Sequence, residues 1–146
     1  MDLSDTSRKF ILHWGEMGTR WGVNRTVAQI HALLYLHGKA LPADEIADTL
    51  GVARSNVSNS IRELQAWNLV RLVHVMGDRR DHFETSTDIW ELTRTIVRER
   101  KEREIAPTME MLRALLDSPE LMVDGVDRAA RIKAMLTMLE SLNLWS

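Results

Sequence analysis

The segment from Pro42 to Trp67 constrains this chain most. Residues 42–50 place Ile46, Ala47 and Leu50 on one helical face, and Pro42 suits the first position of that helix. Only Gly51, Val52 and Ala53 separate it from a second helical pattern, Arg54 to Trp67. There Val57, Ile61 and Leu64 fall at i, i+4 and i+7. Two short helices joined by a tight, glycine-containing turn predict a helix-turn-helix. The period then changes. Leu69 to Val75 is rich in β-branched residues, Gly77-Asp78-Arg79-Arg80 is a polar turn, and Asp81 to Thr85 returns as a second strand. A β-hairpin therefore comes after the helix pair.

Helices flank this centre. Residues 4–17 form a first helix, capped by Ser4 or Asp5, with Phe10, Ile11, Trp14 and Met17 as its stripe. Gly15, Gly18 and Gly22 loosen the chain after it. A second helix runs from Asn24 to His37, with Asn24 or Thr26 as N-cap and Gly38 just past its end. Val27, Ile30, Leu33, Leu34 and Leu36 make its apolar face so wide that it should be buried. A long helix begins at Thr87 or Asp88. It enters an unbroken charged run, Arg98 to Glu104, whose i, i+4 pairs are Arg98–Glu102, Glu99–Arg103 and Arg100–Glu104. A solvated helical strut is expected there, kinked or broken at Pro107. Apolar spacing resumes at Ile105, Met109, Leu112, Leu115 and Leu116; Ser118-Pro119 is a further break. A last helix, Asp127 to Leu142, carries Ile132, Met135, Leu136 and Leu139. The fold class is mainly α: a winged helix-turn-helix with a small hairpin wing and long terminal helices.

A length of 146 residues suits one domain, 1–146. Within it, 24–86 is the winged part, and 1–20 and 87–146 form a helical dimerisation part. Cysteine is absent, which excludes disulfides, thiol chemistry and Cys-ligated metal. The acidic start lacks the regions of a signal peptide, and Ala32 to Leu36 is the longest apolar run. A cytoplasmic protein that does not enter membranes is expected. Phosphate loop, nucleophile elbow and triad are all missing, so no enzyme and no cofactor are expected. The five histidines show no metal spacing, although His74 and His82 would face each other in one of two hairpin registers. They are expected at the surface or on phosphate. The eight methionines are expected to fill core.

The 54–62 stretch divides into two faces. Val57 and Ile61 point inward, whereas Arg54, Ser55, Asn56, Ser58, Asn59 and Arg62 are polar. Asn can read adenine, Arg can read guanine or hold phosphate, and Ser can do either. Ser and Asn are poor helix-interior residues, so a purely solvated face would favour Glu, Lys and Ala. Arg79 and Arg80 in the turn can reach phosphates or a narrow minor groove, and Asp78 can fix a guanidinium. Net charge is −2, so any nucleic-acid contact must come from a local patch. From 41 to 85, five arginines meet seven acidic residues, a local net of −2. That balance supports the alternative, a winged-helix protein-interaction module. The two separate on whether positions 54, 62, 79 and 80 share a face with Asp44, Glu45 and Asp48 turned away.

The residues Trp21 to Leu36, Leu50 to Ser58 and Gly77-Asp78-Arg79-Arg80 resemble the MarR-type winged-helix regulators, most nearly the GbsR-type branch. The resemblance covers residues 10–110. It implies a homodimer on a pseudo-palindromic double-stranded DNA operator, with terminal helices at the dimer interface. It assigns Ser55, Asn56, Ser58, Asn59 and Arg62 to the major groove and Arg80 to the minor groove, oriented by Asp78. A repressor released by a small effector is the implied mode. Ala53 departs from the pattern, where Ser or Thr usually caps the recognition helix. Trp14, Trp21 and Trp90 lie near the implied effector seam, where ring faces suit a quaternary ammonium, the ligand chemistry implied by the branch's link to choline. The simpler expectation, preferred over a ligand pocket, is that these rings fill the core and dimer interface. Trp67 is expected to end the recognition helix, and Trp145 to pack across the dimer.

Overall fold

The computed structural model describes residues 1–143; Trp145 lies outside the described residues. Its contacts group the chain into two compact units, residues 1–95 and residues 96 onward.

The first unit starts with α1 (Asp5–Arg20) and α2 (Arg25–His37). Ser4 caps α1 by accepting the Ser7 N–H at 3.2 Å, and Asn24 caps α2 by accepting from Thr26 and Val27. Gly15 and Gly18 do not loosen the chain after α1; they lie inside it, where α2 crosses. A Cβ at Gly18 would stand 2.7 Å from the Ala28 Cβ, and one at Gly15 2.8 Å from the Gln29 Cγ. Glycine here permits close helix approach, and α1 runs three residues beyond its expected end. Of its stripe, Ile11 is buried while Phe10 and Trp14 stay exposed. Gly38, left-handed at φ 73°, ends α2. Ile30, Leu33 and Leu34 are the centre of the core, but Leu36 is exposed.

Next come β1 (Leu41–Pro42), α3 (Ala43–Leu50), α4 (Arg54–Ala66), β2 (Arg71–His74) and β3 (Asp81–Glu84). Pro42 is the N-cap of α3 rather than its first residue. It also ends β1, an edge strand that the sequence pattern did not show and that a proline without N–H can occupy. The sheet order is β1-β3-β2, all antiparallel. Val73 pairs with His82, and His74 with Asp81, so the two histidines do not face each other. Trp67 ends α4, and Asn68 turns left-handed at φ 60°. The Leu69 N–H then reaches the Leu64 carbonyl at 3.0 Å, and the Asn68 N–H reaches Gln65 at 2.9 Å. This paired C-terminal closure fixes where the wing leaves α4.

α5 (Ile89–Arg100) is capped by Asp88, which accepts from Trp90 and Glu91. The charged run is not a fully solvated strut. Glu99 is buried and binds Arg103 at 3.2 Å, and Arg100 binds Glu104 at 3.3 Å. A π-helical turn, Lys101–Ile105, leads into α6 (Ala106–Leu116), with the Ala106 N–H bonded to the Lys101 carbonyl. Pro107 therefore widens the helix at this point instead of breaking it, because the missing N–H falls where the register shifts. A short α7 (Pro119–Asp124) and α8 (Val126–Asn143) complete the second unit. Its core is Met109, Leu112 and Leu136, with Ile105, Leu116, Ile132 and Leu139 against them. Leu115 and Met135, expected inside, are exposed. So are Met1, Met76, Met111, Met122 and Met138, and methionine is mostly surface in this chain, not core filler. Among the described residues, no helix is long and apolar enough to cross a membrane.

Candidate nucleic-acid interface

α4 owes its position to one face. Val57, Ile61 and Leu64 are buried, together with Ser60. The opposite face leaves Arg54, Ser55, Asn56, Asn59 and Arg62 exposed, with Ser58 half-buried. Arg62 Nη2 donates to the Asn59 side-chain oxygen, so these two present a joined polar edge. Ala53 supplies no side-chain cap, which leaves the first-turn N–H groups of α4 free of one.

The wing turn forms as the Asp78 N–H bonds the Val75 carbonyl at 3.1 Å, with Gly77 at φ 82° as the residue that a side chain would disfavour. Asp78 then accepts three bonds from Arg80: the backbone N–H at 2.9 Å, Nε at 3.1 Å and Nη2 at 2.7 Å. Arg79 is exposed beside them. Behind the turn lies His82, a buried residue rather than a surface one. Its Nδ1–H donates to the Arg80 carbonyl at 2.9 Å, and its Nε2 stands 3.5 Å from Asp78.

The other acids differ from expectation. Asp44 and Glu45 are not turned away. Arg80 Nη1 meets both Asp44 oxygens, at 3.2 and 2.9 Å, and Nη2 lies 3.6 Å from Glu45. Asp44-Glu45 reads in sequence as acid at a helix start, which the helix dipole explains. The missing information was β1. Pairing of Pro42 with His82 sets the start of α3 against the wing base. Arg80 hydrogen bonds hold the Asp78 carboxyl well below the usual carboxylate range and also lower Asp44, while both acids raise Arg80 further.

Arg54, Ser58, Arg62 and Arg80 line one groove of about 420 Å³ between α4 and the wing, with Asp44 and Asp81 on the same walls and Ile61, Leu72 and Phe83 among its apolar residues. Three arginines thus share one face. Elsewhere, Trp14 stacks on Phe10 at 5.9 Å, and Trp21 and Trp90 are 68% and 71% exposed. These three tryptophans are not core of this chain. His31, expected with the other histidines at the surface, is instead held within the unit: its Nε2 lies 3.0 Å from Thr85 Oγ1, whose proton goes to the Leu69 carbonyl at 2.7 Å.

Residues 21–81 match the MarR family model. Over these residues the chain is similar to the MarR family. The match does not resolve the GbsR-type branch. A Bacillus subtilis (strain 168) protein named as an HTH-type transcriptional regulator, YvaV, is 24% identical over 82 residues, which is 56% of this chain and 46% of the relative. The chain thus spans about half the length of that curated relative. A crystal structure described as a transcriptional regulator shares 21% identity at a TM-score of 0.74, covering 94% of this chain and 90% of the other. That likeness gives the winged helix as the fold. A Staphylococcus aureus MepR–DNA complex aligns at 22% identity, 94% and 92% coverage, and a TM-score of 0.44.

Proposed function

We propose that the chain is a sequence-specific regulator of transcription, a repressor that binds double-stranded DNA as a homodimer. The observation that carries this reading is the polar face of α4, Arg54, Ser55, Asn56, Asn59 and Arg62, held outward by buried Val57, Ile61 and Leu64. In the major groove, Asn56 and Asn59 offer the amide pattern that reads adenine, and Arg62 the fork that reads guanine. Arg54 and Arg79 contact phosphate, and Arg80 enters the minor groove at the wing. The MarR match and the regulator name of YvaV support the same reading. Exposed Met111, Leu115, Met135, Met138 and Leu142 on α6 and α8 supply apolar surface for a second copy. A small ligand, stacked on exposed Trp14, Trp21 or Trp90, would release DNA by favouring a dimer whose half-site spacing no longer fits.

The alternative, a protein-interaction module, is favoured by the acids Asp44 and Glu45 beside the wing. Hydroxyl-radical footprinting on fragments of the source genome separates the two. The DNA reading expects two protected half-sites about 10 bp apart, or a multiple of that, with minor-groove protection beside them. Uniform cleavage with folded protein at low salt supports the module instead.

A further inference from the structure

Arg80 has more anions than one guanidinium can serve while also touching DNA. Asp78 is its local partner: it sits two residues away, takes Nε and Nη2, and also binds the Arg80 backbone N–H. Those bonds shape the turn. Asp44 comes from another element, α3, and takes the terminal Nη1 with both of its oxygens. Nη1 is the nitrogen that Asp78 leaves open, where a phosphate or a base would sit. The side chains of Arg80 and Asp44 are 46% and 44% exposed, so the pair lies in water, where such contacts are readily exchanged. We infer that Asp44 competes with DNA for Arg80: it occupies the contacting end of the guanidinium in the free protein and is displaced on binding. This rests on the proposed DNA-binding function.

A consequence is selectivity. An ordinary phosphate faces a guanidinium that already has an anion, whereas a narrow A·T minor groove concentrates negative potential and displaces Asp44 more readily. Asp44 therefore raises the threshold for non-specific contact. The hydrogen bonds that keep the Asp44 carboxyl below its usual range keep it charged at neutral pH, so the competition is present there.

The test is a titration of the full chain with a fluorescent random-sequence duplex over a salt series. The proteins are wild type, Asp44→Asn, Arg80→Ala and the double variant, with folding checked by circular dichroism. Asp44→Asn should tighten binding about threefold to fivefold. It should steepen the log–log salt dependence by about 0.9, the worth of one added phosphate contact. Both effects should vanish when Arg80 is alanine. Asp44→Ser serves with the same expectation if the amide disturbs the start of α3. Weaker binding in Asp44→Asn would overturn the inference and make Asp44 a positioning residue. Equal tightening in the Arg80→Ala background would also overturn it, by showing simple charge repulsion. Failure of every folded protein to bind would bring down the DNA reading itself, and the inference with it.

Discussion

Replacing Ile46 with alanine should lower the unfolding free energy by about 2–5 kcal/mol, the range for large buried aliphatic side chains cut to a methyl. Ile46 is 0% exposed, and its helix, α3, packs against α2, α4, β1 and β3. A cavity there lies at the junction of all the elements that carry the interface. Urea denaturation should show a lower midpoint at unchanged slope. DNA affinity should fall only as far as the folded fraction falls, because no contacting side chain is altered. An unchanged midpoint would mean that α3 does not pack as described.

Acid should weaken the first unit before its carboxylates titrate. Burial lowers the His31 pKa from 6.5 to about 4, so the folded protein disfavours the imidazolium. The Thr85 hydroxyl gives its proton to the Leu69 carbonyl, so it accepts from His31 and selects the neutral Nε2–H tautomer. Below pH 6.5 the unfolded chain takes up a proton that the folded chain refuses, and stability falls until about pH 4, where His31 titrates in the fold as well. The loss should be about 1–3 kcal/mol across that window. Asp44 and Asp78, whose carboxyls are lowered by Arg80, add a further loss at more acid pH, as pH falls from the unfolded carboxylate range through their folded values. Urea midpoints at pH 7, 5.5 and 4.5 measure the His31 step. His31→Gln should flatten that step, whatever it costs at pH 7. An equal pH slope in wild type and variant would place the titrating group elsewhere.

What could be read in the sequence was what local physics decides. Asn24 and Gly38 bracket α2 because one accepts first-turn N–H groups and the other adopts a left-handed φ. Val57, Ile61 and Leu64 give the inner face of α4, and therefore its outer one, by spacing alone. Asp78 and Arg80 meet because they are two residues apart on a turn. What was not legible depends on long-range pairing. Two residues of β1 carry no alternation, yet their pairing with β3 moves Asp44 onto Arg80. Gly15 and Gly18 read as loosening until α2 is seen against them. The apolar residues of α1 and α8 have the spacing of buried residues, but spacing does not say whether the covering surface belongs to the same chain. Trp14 and Met135 have that spacing and are exposed.

Whether α4 reads DNA is tested by a fluorescence-anisotropy titration against DNA from the gene's own upstream region, at two salt concentrations, with wild type and Arg62→Ala. Wild type should bind tightly, more weakly as salt rises, and the variant should lose about tenfold or more, as expected for one guanine-reading fork. Folded wild-type protein that fails to bind at low salt, or an Arg62→Ala variant that binds as tightly as wild type, would contradict DNA reading by α4.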